Sequence, residues 1–195
     1  MEKEKKQYSW YVFCATWFKS GLIPPPKFMN GAAGTYGSIA SLPVVWLALW
    51  LAKFHSPNYV WVTMLILIIG WATVEKTQVE LGPMKDWKGK IKDRDQNQIV
   101  IDEVWGMLFT FYGFIIYSWR PDWKILVIGL LLFRIFDAFL KFLPGIKQWD
   151  KLKSGLGVMM DDKGAGMYAA VCLALIVNNF PVFFDTVWPW SIPWL

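Results

Sequence analysis

Histidine is nearly absent from this chain of 195 residues, where His55 is the only one. Cysteine is almost as scarce, with Cys14 and Cys172 alone. Neither cysteine has an arginine six residues on, which excludes the Cys-x5-Arg phosphatase loop. Both lie in apolar stretches without metal-ligand spacing, so two buried thiols are expected. Walker and dinucleotide glycine motifs are missing. No cleavable leader is expected, because Lys19 and the run Pro24 to Pro26 stand where a cleavage site should be. Asp93-Arg94-Asp95 lacks the apolar strand before it, and the Thr or Val after it, of an Asp-x-Asp nucleophile; it reads as a solvated charge run. If the chain does phosphate chemistry, carboxylates and a metal ion must carry it.

Hydrocarbon, by contrast, is abundant. Hydrophobic residues make up 55% of the chain and 14 residues are Trp, against about 45–50% apolar in an ordinary soluble domain. The length suits a single membrane-embedded domain over residues 1–195. The net charge of +5 is spread along loops rather than gathered in one patch. Anionic lipid headgroups are therefore the expected partner, and nucleic acid is not.

Five apolar runs are candidate membrane spans: Ile39 to Ala52, Tyr59 to Val74, Val104 to Trp119, Ile125 to Phe133 with its extension to Leu140, and Gly164 to Phe184. Several fall short of the roughly 20 residues of a full span, a mismatch that bilayer thinning and flanking Trp can absorb. A soluble bundle of very apolar helices is the alternative. Tyr8 to Phe18 is too short to cross and is expected as an interfacial helix. The expected fold is thus all-α, a polytopic membrane bundle of about five spans.

Taking five spans, the segments before Ile39, from Glu75 to Gln98 and from Lys141 to Lys163 share one side. They hold five, six and five Lys or Arg, sixteen in all, against three (Lys53, Arg120 and Lys124) on the other. That asymmetry makes the first side cytoplasmic. His55 falls on the opposite side, which argues against a phosphohistidine.

Every unusual polar motif falls at the cytoplasmic edge. A carboxylate at the centre of a membrane helix costs roughly 2.5–3.5 kcal/mol on insertion scales, so acids crowded at span edges call for an explanation. Asp102 and Glu103 open the third span; they suit either a helix dipole or a metal ion with a general base. Arg134, Asp137 and Lys141 share one helix face, as an internal ion pair or as two phosphate grips around a metal ligand. Gly155 and Gly157 read as a loop that presents backbone N–H groups to an anion before Asp161 and Asp162; Asp161 also suits an N-cap. Gly34-Thr35-Tyr36-Gly37-Ser38 reads as a second anion nest, or as small residues for close helix packing. Clustered oxygen ligands of this kind are most natural to Mg²⁺.

The stretches GTYGSIASLP, IVIDEVWGM, FRIFD and GLGVMMDDKGAG occur here in the order found in the phosphatidylglycerophosphatase A family, which the chain resembles from about Gly21 to Ala170. The resemblance implies a Mg²⁺-dependent lipid phosphatase of the bacterial cytoplasmic membrane, its site facing the cytoplasm. Its substrate would be phosphatidylglycerophosphate, and its products phosphatidylglycerol and phosphate. The family's motif residues fall on Asp102, Glu103, Arg134, Asp137, Asp161 and Asp162. On this reading all five acids are candidate metal ligands, with Glu103 or Asp161 also orienting the attacking water. Arg134, with Thr35, Ser38, Lys141, Gly155 and Gly157, would hold the substrate. The sequence departs from the family at Ala33, where a proline is usual, in the displacement of Lys141, and in a longer loop from Glu80 to Asn97. A membrane carrier using the acids as an ion site is the rival; it predicts inverted repeats and midplane acids, and neither is visible.

Overall fold

The computed structural model describes residues 8–24, 33–85, 91–92, 96–117, 122–139 and 155–180. The elements are α1 (Trp10–Ala15), a 3-10 turn (Ser20–Leu22), α2 (Ala33–Ala52), α3 (Pro57–Leu81), β1 (Met84–Lys85), β2 (Ile91–Lys92), α4 (Ile101–Thr110), α5 (Gly113–Tyr117), α6 (Trp123–Phe139) and α7 (Gly155–Asn179). The two strands pair antiparallel over two residues each. Otherwise the described regular structure is helical. Lys141 and Asp93 to Asp95 lie outside the described residues.

Among the described residues two helices, α2 and α3, are long and apolar enough to cross a membrane. Only 33% of the most apolar stretch of each is buried. Their outer faces carry Trp46, Leu47, Trp50, Trp61, Leu65, Ile68 and Trp71, all exposed. A soluble core helix would hide such residues. Pro57 opens α3 at a position where a missing N–H costs nothing. Asn58 Nδ2 donates to the Leu51 carbonyl at 3.0 Å, closing the end of α2 and tightening the turn between them. Pro43 lies inside α2 and cannot donate to Ile39. The neighbouring Ala40 carbonyl takes the indole N–H of Trp17 at 2.8 Å.

Helix α4 is the hub, packed against α2, α3, α6 and α7. It is buried nearly all round, through Ile101, Val104, Trp105, Met107 and Leu108. Two aromatic polar tips pin it to α3: Trp105 Nε1 donates to the Thr63 carbonyl at 3.0 Å, and the Tyr59 hydroxyl to the Leu108 carbonyl at 2.6 Å. Both groups are buried and would be costly unpaired. Against α7 the approach is closest. A Cβ on Gly166 would strike the Gly106 carbonyl oxygen, and one on Gly106 would lie 2.7 Å from the Asp162 carbonyl oxygen. Only glycine permits backbones this near.

Several expected boundaries move. The third span is not one helix: α4 stops at Thr110, Tyr112 N–H turns back to the Phe109 carbonyl, and α5 begins at Gly113, with Phe114 and Ile115 bonded to the carbonyls three residues earlier. Phe111 fills the space over Gly129 of α6, where a Cβ would collide with its ring. The interfacial helix covers six residues, not eleven. It ends in Trp17, Phe18 and Lys19, all with positive φ. Val12 and Ala15 bury beneath it, while Trp10, Phe13 and Phe18 stay exposed. Helix α3 runs past Val74 to Leu81, carrying Glu75, Lys76 and Glu80 in its last two turns. Gly82 ends it with φ of 68°, and Gln96 Nε2 caps the Gln78 and Gly82 carbonyls at 3.1 and 3.0 Å. Cys14 and Cys172 are free but half-buried rather than buried.

Candidate active site

Four helix segments far apart in sequence bring the polar motifs together. Asp102 and Glu103 stand in the first turn of α4. Asp162 arrives from α7, held at the proper height by the Gly106–Gly166 crossing. Carboxylate oxygens of Asp102, Glu103 and Asp162 lie within 4.8 Å of one another. Asp102 and Asp162 are only 6% and 5% exposed. Asp102 Oδ1 accepts the Glu103 N–H at 3.0 Å, which turns its carboxylate back over the helix start.

Arg134 comes from the last turns of α6. Its Nη1 lies 2.6 Å from Asp137 Oδ2 and donates to Ser38 Oγ at 3.4 Å. The Ser38 hydroxyl in turn donates to the Gly34 carbonyl at 2.9 Å. Gly34 completes the wall: a Cβ there would press on Glu103 Oε1 and on both terminal nitrogens of Arg134. The guanidinium and the Glu103 carboxylate therefore share the space behind Gly34.

Glu103 has one buried carboxylate oxygen, Oε2, with no hydrogen-bond partner. It lies just ahead of the apolar run that begins at Val104. A half-buried acid with one buried, orphaned oxygen beside two buried carboxylates is a set of hard oxygen donors that could hold a cation. The three oxygens, all within 4.8 Å of one another, are close enough to face one shared cation.

The remaining expected residues fall as follows. Asp137 pairs with Arg134 and stands outside the three-carboxylate group. Asp161 is the neighbour of Asp162 on α7, and its backbone is already helical. It is not an N-cap, because α7 starts six residues earlier, at Gly155. The glycine loop is corrected likewise: Gly155 and Gly157 belong to the first turn of α7. Gly34 to Ser38 is not a loop either but the opening of α2, with Thr35 half-buried. Gly34 gives close approach, and Ser38, fully buried, braces Arg134. Gly106 and Gly166 carry no chemistry and were not singled out from the sequence; their signal was small residues recurring in apolar helices. His55 is exposed at the α2–α3 connection, away from this cluster.

The family model for phosphatidylglycerophosphatase A matches residues 13–177, which takes in all four segments. The chain belongs to the phosphatidylglycerophosphatase A family. Phosphatidylglycerophosphatase A of Haemophilus influenzae is 33% identical over 167 residues, 83% of this chain and 85% of the relative. That of Escherichia coli is 30% identical over 179 residues, 91% and 89% respectively. A protein of Bacteroides thetaiotaomicron, provisionally named a phosphatidylinositol-3-phosphatase, is 31% identical over 173 residues, 84% and 91%. No solved structure matches the chain. Membership in a family of phosphatases does not favour the carrier reading.

Proposed function

We propose that this chain is a Mg²⁺-dependent phosphatase that removes the terminal phosphate of phosphatidylglycerophosphate at the cytoplasmic surface of a bacterial inner membrane. The observation that carries the proposal is the three-carboxylate cluster beside Arg134, in a chain of this family.

Asp102, Glu103 and Asp162 are the ligands proposed for the ion, with Asp161 and Asp137 as further acids within the same region. When bound, the ion supplies charge neutralisation and Lewis-acid polarisation of the phosphoryl oxygens. Arg134 grips the phosphoryl group; its planar fork suits two parallel hydrogen bonds to phosphate. Asp137 and Ser38 fix the guanidinium, so that little ordering is left for the moment of reaction. Thr35, Gly155 and Gly157, in the first turns of α2 and α7, are proposed as phosphate contacts, because a helix start favours an anion. Glu103 or Asp161 orients the attacking water. Lys141 is proposed as a further phosphate contact.

The chain is proposed as one membrane domain over residues 1–195 with five crossings. Exposed Leu131 and Ile135 on α6, and Val171 and Leu175 on α7, extend the apolar outer surface of α2 and α3. The third crossing is α4 with α5 in series. The excess of Lys and Arg on one side sets the site toward the cytoplasm, where the acyl chains stay in the bilayer.

The test is phosphate release from phosphatidylglycerophosphate in detergent micelles, with Mg²⁺ and then with EDTA, for the wild type and Asp162→Asn. Release that needs Mg²⁺ and is lost in Asp162→Asn is expected. A folded wild type that releases none would reject the substrate. Phosphatidylinositol phosphate, run in parallel, decides whether the headgroup is read as the Bacteroides relative's name implies.

A further inference from the structure

Lys163 follows Asp162 on α7, yet among the described residues it has no carboxylate partner. Its ammonium lies 5.8 Å from the centre of the Trp105 ring and 5.2 Å from that of Phe109. Those rings stand three and seven positions after Asp102 on α4. That is the spacing of one helix face. The cation therefore occupies the same stripe as Asp102, displaced toward the C-terminal end of α4. Seven residues of helix cover about 10 Å, and the two residues whose rings the ammonium faces stand within that length. Beyond it the stripe stays aromatic: Phe109 stacks on Tyr112, and Tyr112 meets Tyr59 edge-on.

Running down α4 from its N-terminus, the order is carboxylates, then a lone cation, then apolar rings. A lipid that carries a terminal phosphate monoester has the same order of chemistry. The monoester comes first, then a headgroup bridge, then a phosphodiester anion, then acyl chains. A half-buried lysine among aromatic rings is fixed by cation–π contact but not neutralised by it, and an intramembrane cation calls for an anionic partner.

We infer that Lys163 binds the phosphodiester of the substrate while the carboxylate and Arg134 cluster holds its terminal monoester. This rests on the lipid-phosphatase reading above and gives it a ruler. The site measures the distance between two phosphates, and favours lipids that have both.

The test uses the full-length protein in mixed micelles, with Lys163→Gln and Lys163→Arg. The substrate is phosphatidylglycerophosphate. Two competitors separate the subsites: phosphatidylglycerol has the diester alone, and phosphatidic acid has the monoester alone. Lys163→Gln is expected to raise KM by about tenfold to a hundredfold, the worth of one charge-assisted hydrogen bond. It should weaken inhibition by phosphatidylglycerol to a similar degree. Inhibition by phosphatidic acid, kcat and Tm should stay near wild type, and Lys163→Arg should recover most of the loss. An unchanged KM, or equal weakening of both competitors, would overturn the inference. So would a joint fall of kcat and Tm, which would make Lys163 a packing residue. A wild type that releases no phosphate and binds neither competitor would overturn the phosphatase reading itself, and this inference with it.

Discussion

Replacing Gly106 with Ala tests whether helix spacing sets the chemistry. The added Cβ would lie 2.7 Å from the Asp162 carbonyl oxygen and 2.6 Å from the Phe133 ring. The ring can turn aside; the carbonyl belongs to the α7 backbone and cannot. Ordinary contact begins at 3.4 Å, so α7 must retreat by about 0.7 Å at Asp162. Asp162 then moves off Asp102 and Glu103 by a similar distance. A misplacement of about 1 Å in a catalytic constellation can cost about a hundredfold. We therefore expect kcat/KM to fall by about tenfold to a hundredfold and the Mg²⁺ midpoint to rise. Overpacking should lower stability by about 1–3 kcal/mol. The assay is initial phosphate release across a Mg²⁺ titration, beside a thermal melt. Gly82→Ala is the control. Its Cβ would meet nothing within 4 Å, but φ there is 68°. With ψ of −170° the backbone lies in a region essentially confined to glycine, so the variant should lose about 1–3 kcal/mol through backbone strain and leave kinetics alone. Wild-type kcat/KM and an unmoved Mg²⁺ midpoint in Gly106→Ala would refute the reasoning.

Arg134→Lys keeps the charge but loses the fork, and should lower kcat/KM by about tenfold to a hundredfold with Tm little changed; equal rates would mean that Arg134 only pairs with Asp137. Tyr59→Phe strips the hydroxyl from the Leu108 carbonyl and should cost about 0.5–1.5 kcal/mol in a melt, with kcat unaltered. Single cysteines placed at His55 and at Lys85, in a background lacking Cys14 and Cys172, should react with an impermeant thiol reagent from opposite faces of sealed vesicles. Labelling from the same face would break the five-span topology.

The acidic motifs were legible because each is expensive beside hydrocarbon, and the Lys and Arg count led to the expectation that they share one side. Asp102, Glu103, Asp162 and Arg134 do meet in space. Their local backbone was misjudged. Glycine pairs suggested loops at Gly34 and Gly155, but tertiary packing holds both in helices, where a missing Cβ serves close approach instead. The break at Phe111 and Tyr112 was hidden because the apolar run continues through it without a charge or a proline. At the break the Phe111 ring packs over Gly129 of α6. Lys163 was counted among loop bases; nothing in a one-dimensional charge count reveals the rings beneath it.

The closeness of α4 and α7 also bears on when the three carboxylates come together. Asp102 and Glu103 leave the ribosome some sixty positions before Asp162. No fragment that ends before α7 contains the three-carboxylate group. During synthesis the half-built bundle holds two of the three carboxylates, and the group is completed in one step, when α7 settles against Gly106.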